Sequence, residues 1–165
     1  MHTTTFASPL GPLNLAASAT GLTRCTLRTI RPSSRPDEPD APAWLELARR
    51  ELDAYFAGEL REFTVPVDLS GVAQPHRRVL AALSGVGYGR TTTYGALATE
   101  LGLVEDGPRT VGGAMARNPV WVIVPCHRVL GAGGALTGYA GGLPAKRRLL
   151  DLEAQPTRPQ LALTW

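Results

Sequence analysis

Two short helical segments joined by a glycine-containing turn constrain this chain more than any other feature in it. Thr93 stands where a helix N-cap belongs, ahead of Tyr94-Gly95-Ala96-Leu97-Ala98-Thr99-Glu100-Leu101, and Gly102 ends the run. Val104-Glu105-Asp106-Gly107 then forms a short turn, and Pro108 opens a second helix predicted over Arg109–Arg117. Two such helices on a tight turn make a helix-turn-helix candidate.

The second helix is unusual for that motif. Arg109-Thr110-Val111-Gly112-Gly113-Ala114-Met115-Ala116-Arg117 offers almost none of the long polar side chains that read base edges in the major groove. Two interior glycines cost roughly 1 kcal/mol each relative to alanine, so a steric requirement is expected. Either the helix backbone approaches DNA closely, or Gly112 and Gly113 let another helix pack tightly.

The rest of the chain divides around this unit. Leu13–Ala17 and Leu22–Ile30 read as strands; residues 31–42, with Pro32, Pro36, Pro39 and Pro42, read as an exposed loop. Leu45, Ala48, Leu52, Tyr55 and Phe56 recur at the spacing of one helix face, which predicts a helix over Trp44–Leu60. Phe63–Val67 returns as a strand, closing a small α/β unit near Gly71. From Pro75 the pattern is mainly helical, with Val79, Leu80 and Leu83 on one face. Asn118-Pro119 terminates the helix-turn-helix, Val120–Val124 reads as β-like, and a glycine-rich segment, 131–142, precedes a last helix carrying Glu153.

Charge follows the same division. Residues 1–73 hold 7 Lys+Arg against 9 Asp+Glu, whereas residues 74–165 hold 10 against 5. A basic second half suggests that it meets a polyanion. With 44% hydrophobic and 19% charged residues, the composition is that of a soluble globular chain. No apolar stretch approaches a membrane span, and no signal pattern precedes residue 30, so a cytoplasmic location without membrane contact is expected. Cys25 and Cys126 show no metal-ligand spacing, so neither a disulfide framework nor a metal is expected.

Cys126 sits in Val124-Pro125-Cys126-His127-Arg128-Val129. A thiol of ordinary pKa ~8.5 is only a few per cent thiolate at neutral pH, so an adjacent histidine is a natural proton acceptor. Taken alone, a Cys-His pair more often marks a small core residue than a nucleophile. Thr93-Tyr94-Gly95, Arg109-Thr110-Val111-Gly112, Asn118-Pro119, Pro125-Cys126-His127-Arg128-Val129 and Tyr139-Ala140-Gly141-Gly142-Leu143 occur in that order. This order closely resembles the O6-alkylguanine-DNA alkyltransferases, the methylated-DNA–protein-cysteine methyltransferases. The likeness runs from about Tyr94 to Glu153, and Gly11-Pro12-Leu13 and Tyr55-Phe56-Ala57-Gly58 extend it loosely towards the N-terminus.

The resemblance implies an α+β chain. A small ribonuclease-H-like α/β domain over residues 1–72 would precede a mainly helical, winged helix-turn-helix DNA-binding domain over 73–165. It implies suicidal transfer of an alkyl group from O6-alkylguanine, with O4-alkylthymine as a second substrate, to Cys126. His127 would accept the thiol proton through a water, Glu153 would orient the imidazole, and Tyr94 would donate to the departing purine. Asn118 would tie the recognition helix to the nucleophile's loop, as a helix C-cap also would.

The reacting carbon is unreachable inside a duplex, so the base must be flipped out at a cost of a few kcal/mol. Arg109 would fill the vacated stack through the minor groove or, failing that, hold a phosphate. Thr110, Gly112, Gly113, Ala114 and Arg128 complete the implied DNA contacts; Met115, Trp121, Val129, Tyr139 and Ala140 complete the implied pocket around Tyr94. No cofactor is implied, and a one-shot monomer suffices. Family members that recognise lesions without transfer lack the nucleophile, which Cys126 supplies here; a Cys-His hydrolase would leave the helix-turn-helix unexplained.

Several positions depart from the family pattern. Trp121 replaces a small residue or proline and would narrow the pocket, and Ala140 replaces the usual serine. Ala81 and Ala82 stand where an aromatic is usual. Cys25 reads as core, and Lys146-Arg147-Arg148 as a solvated helix face.

Overall fold

The computed structural model describes residues 2–31 and 40–155. Three strands, β1 (His2–Ser8), β2 (Gly11–Ala17) and β3 (Leu22–Thr26), form an antiparallel meander. Leu13, Leu15 and Ala17 alternate along β2 and are fully buried, as period-two side-chain placement requires on a covered face. Helix α1 (Ala41–Phe56) covers them with Ala41, Leu45, Ala48, Leu52 and Tyr55, spaced four and three apart on one stripe.

Helix α1 starts three residues before the predicted Trp44, because Pro42 occupies its first turn rather than a loop. It stops at Phe56, short of Leu60. The prolines at 32, 36 and 39 lie outside the described residues. Strand β3 also ends early: beyond Thr26 its own hydroxyl accepts the Arg28 amide at 3.1 Å, a local turn that competes with the ladder.

The expected strand Phe63–Val67 reduces to one parallel bridge, Leu22 to Val67. Pro66 has no amide to contribute to a ladder. Instead the buried Glu51 carboxylate on α1 accepts the Thr64 amide (2.9 Å), the Val65 amide (3.0 Å) and the Thr64 hydroxyl.

The second half contains α2 (His76–Ala82), a two-residue β4 (Thr92–Thr93), α3 (Tyr94–Glu100), α4 (Gly107–Ala116), a two-residue β5 (Val129–Leu130) and α5 (Leu143–Ala154). Thr93 caps α3 through the Ala96 amide at 3.0 Å. The helix-turn-helix is present, and Gly107 permits it: a Cβ there would stand 2.8 Å from the Ala98 Cβ. Strands β4 and β5 pair in parallel, with Thr93 opposite Leu130. Among the described residues no helix is long and apolar enough to cross a membrane.

The halves are joined by backbone. Cys25 on β3 donates to the Pro119 carbonyl (2.9 Å), and Trp121 donates back to the Cys25 carbonyl (2.8 Å). Cys25 is thus core, as expected, and its strand anchors the segment leading to Cys126.

Because Glu51 satisfies two otherwise orphaned amides, Glu51→Ala should destabilise the protein by about 2 kcal/mol. For a chain of this size that is a fall in Tm of roughly 4–8 °C. A thermal scan showing no shift would contradict this role.

Candidate active site

The run Val120–Val124 was expected to be β-like, but the segment from Asn118 to Cys126 folds as consecutive tight turns. Ile123 donates to the Trp121 carbonyl (2.8 Å) around Val122, whose φ of 72° is left-handed and strained for a β-branched residue. Pro125, at φ −82° and ψ 61°, forms the inverse version of the same turn, closed by the Cys126 amide on Val124 (2.8 Å). Asn118 holds this shape from inside: its Nδ2 donates to the Val124 carbonyl (3.0 Å) and its Oδ1 accepts the Val120 amide (3.0 Å). Asn118 thus follows the helix end directly and staples the loop that leads to Cys126.

Cys126, His127 and Arg128 form one 3-10 turn, all three buried. The His127 Nε2 lies 2.8 Å from Glu153 Oε1. Burial opposes ionisation of Glu153, but the His127 and Arg128 hydrogen bonds outweigh it and hold the carboxyl at about 2. An ionised carboxylate only accepts, so Nε2 carries the proton and Nδ1 is left as the acceptor. That Nδ1 is buried and has no hydrogen-bond partner among the described residues. Burial lowers the pKa of His127 despite the carboxylate, which keeps the imidazole neutral and basic. The Cys126 thiol is pushed up to about 11 by burial, against the opposing pull of the Asn118 side chain and the Lys146 ammonium. At rest it is protonated.

The thiol opens into a cavity of about 320 Å³ lined by Tyr94, Met115, Tyr139 and Ala140, with Gly112, Ala116, Gly138 and Arg28. The β4–β5 pair sets Tyr94 against the segment after Cys126. Its hydroxyl lies 3.5 Å from the Thr137 carbonyl oxygen, and the Tyr139 hydroxyl is buried without a partner among the described residues.

Five sequence expectations are corrected. Arg128 is not at the surface to meet DNA: its Nε and Nη2 bond Glu153 at 2.9 and 2.8 Å, and its Nη1 bonds the Val86 carbonyl at 2.6 Å. Ala114 is fully buried and packs in the core. Trp121 lies behind the pocket, its indole donating to the Asn118 carbonyl (2.8 Å) and its ring 6.1 Å from that of Tyr139, so it does not narrow the thiol's cavity. Val129 is buried outside the lining, and its carbonyl accepts Lys146 Nζ at 2.6 Å. Lys146 itself is no solvated residue. Fully buried, it also bonds the Thr137 carbonyl at 2.7 Å and the Gly138 carbonyl at 3.3 Å.

On α4 the exposed residues are Pro108, Arg109 and Ala116, which with Gly112 lie along one face. Arg109 points outward from the first turn, with Asp106 at 3.8 Å. A Cβ on Gly112 would meet open space, whereas one on Gly113 would come within 3.0 Å of the His76 ring. The two glycines thus divide the two expectations: Gly112 leaves the outer face flat, and Gly113 lets α2 approach. Thr110 is half-buried beside them.

Sequence reasoning missed Arg28, Tyr55 and Lys146. Tyr55 Oη donates to Glu153 Oε1 at 2.7 Å from the opposite half of the chain. A signal existed for two of them. A tyrosine on a buried stripe needs a partner for its hydroxyl, and Lys146 falls in helical register with the buried Leu149 and Glu153.

His127 and Glu153 both have depressed pKa values, so each binds protons more readily in the unfolded chain. Stability should be level between about pH 7 and 8, fall below roughly 6.5 as unfolded histidine protonates, and fall again from about 4.5 towards 2; above about 9 it should fall as the unfolded thiols ionise while buried Cys126 and Cys25 resist. Denaturant unfolding at pH 8, 7, 6 and 5 tests this. Unchanged stability from pH 8 to 5 would contradict a buried neutral His127.

Comparison with known proteins agrees with this geometry. Residues 1–69 match the family 6-O-methylguanine DNA methyltransferase, ribonuclease-like domain, and residues 74–155 match its DNA binding domain. The chain is 44% identical to a methylated-DNA–protein-cysteine methyltransferase of Mycobacterium tuberculosis, covering 99% of this chain and 98% of the relative. It is 41% identical to a DNA base-flipping protein of Thermus thermophilus, over 88% of this chain and 95% of the relative. The crystal structure of Mycobacterium tuberculosis OGT in complex with DNA superposes with a TM-score of 0.82 at 44% identity, covering 93% of each chain. The chain is an α+β member of the methylated-DNA–protein-cysteine methyltransferase family, its ribonuclease-like domain preceding its DNA-binding domain.

Proposed function

We infer that this protein repairs DNA by transferring an alkyl group from O6-alkylguanine to Cys126, once per molecule. One observation carries the reading: a buried thiol faces a base-sized cavity, and beside it a buried imidazole has one nitrogen bound to a carboxylate and the other unpartnered. The His127 Nδ1 takes the Cys126 proton through a water, and Glu153 stabilises the imidazolium that forms. The sulfur attacks the alkyl carbon as the carbon–O6 bond breaks, and its electron pair passes to the purine. Tyr94 donates a hydrogen bond as that charge develops, and the purine leaves as guanine after gaining a proton. The S-alkyl thioether stays on the protein.

The flat outer face of α4, with Arg109 at its start, suits close approach to the minor groove and filling of the space left by the flipped nucleotide. Residues 1–72 and 73–165 act as the two domains of one monomer. A nucleophilic thiol that must stay reduced fits the cytoplasm.

Incubation with a duplex containing O6-methylguanine should add one methylene per protein, located on Cys126, as read by intact and peptide mass spectrometry. Cys126→Ala should abolish the gain while leaving duplex affinity within a few fold. Unchanged mass of the unaltered protein with tight lesion binding would overturn the reading in favour of recognition without transfer. Arg109→Ala should slow transfer from duplex at least tenfold, and equal rates would contradict the finger role.

A further inference from the structure

The cavity that holds Cys126 has, among the described residues, one charged group in its lining, and it comes from the other domain. Arg28 lies just after β3, is exposed, and has no ion-pair partner among the described residues. A second cleft of about 510 Å³ adjoins, sharing Arg28, Ala116 and Ala140 and adding Arg24, Arg31 and Arg117. No described carboxylate lines either space. Three guanidinium groups of the N-terminal domain, Arg24, Arg28 and Arg31, and that of Arg117 at the end of α4 thus lie along the approach to the thiol's cavity.

A base inserted in that cavity leaves its sugar and phosphates outside. The lining is otherwise aromatic, aliphatic or glycine, apart from the thiol, and provides nothing to neutralise a phosphate. Guanidinium groups bind phosphate oxygens in a bidentate fork and keep their charge at every working pH. We propose that Arg28 grips a backbone phosphate of the flipped nucleotide, and that Arg24, Arg31 and Arg117 guide the strand that carries it. This rests on the proposed function. It makes the ribonuclease-like domain a contributor to DNA engagement, and one that acts mainly once a nucleotide has left the stack.

Single-turnover alkylation of Arg28→Ala and Arg28→Lys tests this, using an O6-methylguanine duplex and the free O6-methylguanine nucleobase, which lacks sugar and phosphate. Arg28→Ala should slow reaction with the duplex about tenfold, the scale of one charge-assisted hydrogen bond. Its loss on the nucleobase should be at least fivefold smaller, and Arg28→Lys should recover part of the duplex rate. The salt dependence of lesion-duplex affinity should weaken by about one unit of slope in Arg28→Ala. Equal losses on both substrates would overturn the proposal and make Arg28 a wall of the base pocket. No loss on the duplex, or an unchanged salt slope, would also overturn it. If the unaltered protein alkylates Cys126 with neither substrate, the function itself is wrong and this contact falls with it.

Discussion

The Glu153 carboxylate is the point on which the arrangement depends. It is a buried charge, and such a charge is tolerated only when its oxygens are fully occupied by good donors. Here Tyr55, His127 and Arg128 supply four donors from α1 and from the turn bearing the nucleophile. Arg128 in turn reaches the Val86 carbonyl. One carboxylate therefore fixes α5 against the nucleophile's turn, sets the tautomer of His127 and joins the two halves of the chain.

A second constraint works through backbone. The loop from Asn118 to Cys126 includes a strained residue, Val122, and persists because Asn118 binds it from inside and β3 binds it from outside. Strain of this kind, of order 1–3 kcal/mol, is held by surrounding structure and aims the Cys126 thiol into the cavity. Lys146 does the equivalent on the other wall, gathering three carbonyls from β5 and the segment at residues 137–138.

Much of this was legible from the sequence because it was local. Thr93 as a cap, Gly107 at the helix-turn-helix, the α1 stripe and the Pro-Cys-His-Arg run each act within a few residues of themselves. Long-range pairings were not legible. Nothing near Arg128 says that its guanidinium turns inward to Glu153, twenty-five residues on. Likewise, nothing near Tyr55 names a partner ninety-eight residues away. The apolar run Val120–Val124 read as a strand because its composition is that of one, yet Asn118 and Pro125 impose turns. Trp121 was assigned to the pocket because it replaces a small residue or proline of the family pattern, whereas its indole folds back onto the Asn118 carbonyl.

In the proposed mechanism Cys126 reacts through His127 rather than as a standing thiolate. The pH dependence of single-turnover methyl transfer from duplex O6-methylguanine tests it most directly. The rate should fall in acid as His127 protonates and stay level from about pH 7 to 9. A rate rising tenfold per pH unit through that range, towards the thiol's own pKa of about 11, would show free ionisation of the thiol and contradict the account.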